Sequence, residues 1–118
     1  MRSRRFGDGT VERINFDPEY VDIILNGEKT TTIRKGIKSF QVGRIVEFTV
    51  NNKVFALARV KKVVIKRVKE LTDLDALRDG FQDRISLIKA LRRIYGEIKD
   101  HEFVTVVHFE IVKEFFKN

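Results

Sequence analysis

Between Glu28 and Glu47 the sequence has no acidic residue, yet it holds Lys29, Arg34, Lys35, Lys38 and Arg44 together with Thr30, Thr31 and Thr32. This set suits phosphate: arginine binds it bidentately, lysine supplies a compact charge, and threonine hydroxyls add neutral hydrogen bonds. A solvated basic loop would have the same composition, so the side chains must also converge. Spacing sets the condition. In one regular strand over residues 29–34, Lys29, Thr31 and Ile33 share one face while Thr30, Thr32 and Arg34 share the other. Lys29 meets Thr32 and Arg34 only if it sits in a turn after Gly27 and the strand begins beyond it. Gly27, Lys29, Thr32, Arg34, Lys35, Lys38 and Arg44 are therefore the candidate binding residues for RNA or a nucleotide.

The flanking sequence supplies the elements that must position them. Asp17-Pro18-Glu19 reads as a helix start, with Asp as N-cap and Pro at the first helical position; the helix runs to about Leu25 and stops at Asn26-Gly27. Residues 30–34 are β-branched and read as a short strand. Two further strands, Ile45–Val50 and Lys53 to about Val68, are joined by Asn51-Asn52, a pair that tolerates the positive φ of a tight hairpin turn. The second is apolar on both faces, as a strand is when it is central or inside a barrel. Thr72 caps a short helix, Asp73 to about Arg78, closed by Asp79-Gly80. Asp83 caps a longer one, Arg84–Tyr95, with Ile85, Ile88, Leu91 and Tyr95 as its core stripe and Gly96 as its stop. Phe103–Val112 is the last strand. Near the start, Gly7-Asp8-Gly9 reads as a turn between two short strands. The expected fold is α+β, one domain over 1–118, with the sheet curling into a small barrel and helices packed around it.

Composition narrows the chemistry. The chain of 118 residues has no Cys, which removes disulfides, thiolate nucleophiles and Cys-rich metal sites, and only His101 and His108 as imidazoles. No metal and no cofactor are expected, and any catalysis must use hydroxyl, amine, carboxylate or imidazole groups. No apolar run of about 18 residues is present, so no membrane partner is expected. The basic start lacks the pattern of a signal peptide, and a cytoplasmic location follows as the expectation. With 24 Lys+Arg against 17 Asp+Glu, the formal charge of +7 favours polyanionic partners, nucleic acid above all. A second basic run, residues 59–69, reads either as an RNA-backbone track or as cations that protect a sheet edge. The phenylalanines mostly fall where core residues belong.

Asn26-Gly27-Glu28-Lys29-Thr30-Thr31-Thr32-Ile33-Arg34 resembles the Gly-x-Lys-x-x-Thr-x-Arg signature of the ASCH domain family. The likeness extends to the helix from Pro18, the Val42-Gly43 turn, the Asp79-Gly80-Phe81 segment, the helix ending Tyr95-Gly96 and the strand over Val106–Phe109. The resemblance implies a PUA-like barrel, in a superfamily associated with RNA binding, with a cleft lined by Lys29, Thr32 and Arg34. A bacterial group of small members hydrolyses the amide of N4-acetylcytidine with the signature Lys and Thr and a downstream Glu. By that likeness Lys29 and Thr32 are catalytic candidates, a desolvated Lys serving as base for the Thr hydroxyl. The acid departs from the pattern: Asp73 is the nearest match by position and one methylene shorter, with Asp79 and Glu47 as further candidates.

Overall fold

The computed structural model describes residues 12–115, and the turn expected at Gly7-Asp8-Gly9 lies outside them. Five strands, β1 (Arg13–Asn15), β2 (Thr31–Lys35), β3 (Ile45–Val50), β4 (Lys53–Arg67) and β5 (Phe103–Glu114), form one sheet in the order β1-β3-β4-β5-β2. Among the described residues only the β1–β3 pair is parallel. Three helices accompany it: α1 (Val21–Leu25), α2 (Asp73–Arg78) and α3 (Arg84–Tyr95). The sheet curls into a half-barrel, and the Arg34 guanidinium in β2 reaches the Asn15 carbonyl in β1 at 3.3 Å, across the gap between its two edge strands. Among the described residues no helix is long and apolar enough to cross a membrane.

Apolar residues on both faces give the sheet two cores. Phe16, Phe48, Phe55 and Phe109 pack inside the curl with Ile14, Val46 and Val60. On the other side Val104 and Val106 of β5 meet Leu87, Ile88 and Leu91 of α3, together with Ile33 and Val68. β4 is central in the strand order, but among the described residues β3 pairs with it only as far as Arg59, so the half that carries Lys61, Lys62, Lys66 and Arg67 is paired on the β5 side alone. The hairpin before it turns on Asn51 and Asn52, at φ 50° and 66°.

The differences from the sequence reading have local causes. Asp17 has extended backbone and its carbonyl accepts the Tyr20 N–H, but its carboxylate makes no cap; Pro18–Tyr20 form a tight 3-10 turn before α1 starts. On α3, Ile85 is 66% exposed rather than core. Arg84 takes the inward position instead, donating through Nε to the Leu71 carbonyl and through a terminal nitrogen to that of Val68. This sets the helix rotation so that Leu87, Ile88, Ala90 and Leu91 face inward. The caps of α2 and α3 form as the sequence predicts, Thr72 accepting the Asp75 N–H and Asp83 that of Ser86.

Candidate functional site

Lys29 lies in a turn and not in a strand. Gly27 adopts φ 87° after α1, the Lys29 N–H bonds the Ile23 carbonyl at 2.9 Å, and the Thr30 N–H bonds the Arg78 carbonyl at 2.7 Å. The loop is thus held between α1 and α2, and β2 begins only at Thr31. This geometry turns Lys29 inward, where it is 4% exposed. Its Nζ donates to Asp79 Oδ1 at 2.9 Å and to the Asp79 carbonyl at 3.0 Å, and lies 5.2 Å from the centre of the Tyr20 ring. Thr31 donates its hydroxyl to the same Oδ1 at 2.9 Å. Gly80 closes the back of the pair: at φ 92°, a Cβ there would lie 2.8 Å from Ile23 Cδ1 and 3.4 Å from Lys29 Cβ.

Burial disfavours both charges of this pair. It pushes the Lys29 amine below the ordinary lysine range, against the pull of Asp79, and pushes the Asp79 carboxyl up, against Lys29, Thr31 and Arg34. Each group thus keeps its charge against burial through the other, at 2.9 Å. Perturbed groups of this kind, held in a cleft, mark a candidate functional site.

Thr32 and Arg34 form the other wall. Arg34 Nε donates to Thr32 Oγ1 at 3.0 Å, and its guanidinium carbon lies 5.2 Å from the centre of the Phe16 ring. Its guanidinium also engages the Tyr95 side chain, and burial lowers its pKa. A cavity of about 100 Å³ is bounded by Lys29, Thr32, Arg34 and Asp79 and by the aromatic residues Phe16, Tyr20, Phe81 and Tyr95. Beside it, sharing Asn15, Arg34 and Tyr95, runs an open slot of about 490 Å³ lined also by Arg13, Lys35, Lys38 and Phe40. The cavity is the closed end and the slot the basic, solvent-facing end of one groove.

The structure divides the residues singled out by sequence. Lys29, Thr32 and Arg34 border the cavity; Arg34, Lys35 and Lys38 border the slot, with Lys35 also 3.6 Å from Glu102. Gly27 shapes the turn and lines neither space, and Arg44 lies outside both, bonded to Gln41. Of the three carboxylates, Asp73 is exposed and accepts the Arg84 N–H, and Glu47 pairs with Arg13 at 2.7 Å. Of these three, Asp79 alone borders the cavity, whose lining also includes Asp17. In sequence the Asp79-Gly80 pair signals a helix end, which it is, and Asp79 stands there as one of three candidate acids with nothing to rank it above Asp73 or Glu47. Thr31, Tyr20 and Tyr95 were missed as site residues; the Thr-Thr-Thr run was the only signal for the first.

The second basic run is mostly occupied elsewhere. Arg59 and Lys61 both approach Glu110 at 3.5 Å, Lys66 meets Asp75 at 2.7 Å, and Arg67 bonds the His101 carbonyl and covers the Phe103 ring. Among the described residues no three His, Cys, Asp or Glu side chains gather into a metal site.

Comparison with known proteins places these features in a family context. The sequence model for the ASCH domain matches residues 12–113. Curated proteins gave no match. Among solved structures, the chain is similar to the ASCH domain from Lactobacillus crispatus JV V101 at 18% identity and a TM-score of 0.70, covering 93% of this chain and 86% of that one. A protein from Enterococcus faecalis V583 matches at 12% identity and a TM-score of 0.69, covering 98% and 89% of the two chains. The ASCH protein from Zymomonas mobilis matches at 17% and 0.64, covering 86% of this chain and 70% of that one. At these identities the solved structures speak for the fold.

Proposed function

This chain belongs to the ASCH domain family, and on that premise we propose that it binds RNA by seating one nucleotide in the groove, base in the cavity and phosphate in the slot. The observation that carries the reading is the groove itself, an aromatic-walled cavity with a buried Lys–Asp pair that opens onto Arg13, Arg34, Lys35 and Lys38. The association of the PUA-like fold with RNA binding supports the same ligand class. Aromatic walls stack a base, and Asp79 Oδ2, which carries no hydrogen bond among the described residues, is available to an exocyclic amine. The cations outside hold phosphate. Binding of a short RNA, followed by fluorescence anisotropy, is expected to weaken with salt and to fall sharply in Lys29→Ala/Arg34→Ala. An unchanged affinity in that double variant would sink the assignment.

A second reading is favoured by Asp79, whose carboxyl is bonded to Lys29 and lines the same cavity as Thr32. In it the groove hydrolyses the amide of an N4-acylated cytidine. Neutral Lys29 takes the Thr32 hydroxyl proton, Thr32 Oγ bonds to the acyl carbon, and the C–N bond breaks as the amine leaves with a proton. Water then releases the acid from the threonine ester. Activity is expected to rise with pH as Lys29 deprotonates, with a midpoint below the ordinary lysine value because burial lowers it. Incubation with N4-acetylcytidine should yield cytidine and acetate, and Thr32→Val should abolish both. No conversion at high protein concentration removes this reading and leaves the binding one intact.

A further inference from the structure

The strand register builds a second cluster of cations away from the slot. His108 of β5 is paired with Thr31 of β2 on one side and Lys62 of β4 on the other, an irregularity between Val60 and Lys62 bringing that lysine into register. Arg78 ends α2 next to the signature loop, where its carbonyl accepts the Thr30 N–H at 2.7 Å. Two more charged groups face His108, Lys66 from β4 and Asp75 from α2, and these neutralise each other at 2.7 Å. The same Asp75 oxygen also accepts from the backbone and hydroxyl of Thr72. Lys62 and Arg78 are exposed, and among the described residues neither side chain has a carboxylate partner. Two unneutralised cations thus flank a half-buried imidazole. Both sites share β2, since Thr32 lines the cavity and its neighbour Thr31 stands opposite His108.

We propose that Lys62, Arg78 and His108 form a second anion site, which takes a phosphodiester of the same RNA strand whose nucleotide fills the groove. The choice of RNA rests on the function proposed above; the choice of an oxyanion rests on the cluster alone. Arg78 and Lys62 supply charge and the imidazole a directed N–H. Burial first, then Lys62 and Arg78, hold the His108 pKa below its ordinary value, while Asp75 draws it up. A phosphate between the cations offsets their repulsion and raises that pKa. By linkage, RNA affinity increases as pH falls through the imidazole range.

His101 and His108 are the chain's only histidines, so their ring signals can be followed separately by NMR. On saturation with a five-nucleotide oligocytidylate, the pKa of His108 should rise. Lys62→Gln/Arg78→Gln should abolish the rise and reduce the slope of log affinity against log salt by about 1.4, at about 0.7 per contact on a single strand. Shifts at Thr32 and Arg34 should persist in that variant. If those shifts occur while His108 titrates unchanged, the second site is overturned and the groove reading stands. If His108 responds and Thr32 and Arg34 do not, the groove reading fails and the second site stands. Silence at both overturns both. Inorganic phosphate that binds at His108 as tightly as the oligonucleotide overturns RNA as the ligand.

Discussion

Replacing Lys29 by Met leaves the Asp79 carboxyl buried without its cation. A buried pair broken on one side costs about 3–5 kcal/mol when the remaining group stays charged. Asp79 is already pushed above its ordinary value, and losing Lys29 removes the largest opposing influence, so its pKa rises further. A carboxyl whose folded pKa exceeds its unfolded one contributes stability that is fully present below the unfolded value and is lost as pH rises through the folded value. The deficit of Lys29→Met relative to wild type should therefore be larger at pH 7 than at pH 4.5, measured by urea unfolding. Equal deficits at both would contradict this account of the pair. The convergence of Lys29, Thr32 and Arg34 was legible in the sequence, because a glycine turn moves Lys29 off the strand alternation. Asp79 was legible only as one of three candidate acids, unranked, because it lies 50 positions from Lys29 and nothing local marks the contact.

At the scale of elements, caps and turns were legible because their chemistry is local. Ile45–Val50, Asp73–Arg78 and Arg84–Tyr95 carry their own start and stop residues. The face of α3 was not, since helical periodicity alone cannot show that Arg84 has inward carbonyls to satisfy. Gly80 joins element to site. Gly80→Ala combines a left-handed backbone with a Cβ that meets Ile23 Cδ1 at 2.8 Å. The substitution should destabilise by about 1–3 kcal/mol. By displacing the loop that seats Lys29, it should also weaken RNA binding more than Gly27→Ala, where a Cβ meets nothing within 4 Å. Similar RNA affinities for the two variants would show that the fit behind Lys29 is not required for the groove.

For the molecule as a whole, a net charge of +7 foretold attraction to polyanions but not where it acts. Folding partitions the cations into those neutralised on the sheet, those lining the slot and those around His108. The half-barrel was legible from strands that are apolar on both faces; the order of the strands was not, because pairing is set by contacts distant in sequence.

That order has a consequence for assembly. β2 carries Thr32 and Arg34, yet among the described residues it pairs with β5 alone, the last of the five strands in sequence order. Loop closure over such a separation is slow relative to the local β3–β4 hairpin. During synthesis the groove therefore stays unbuilt until β5 emerges, although Lys29 and its neighbours leave the ribosome early. A ribosome-bound chain stalled before Phe103 should already protect the β3–β4 hairpin from proteolysis yet fail to retain RNA, and release of β5 should confer binding in one step. RNA retention by the stalled chain would show that the signature loop works without the sheet that holds it.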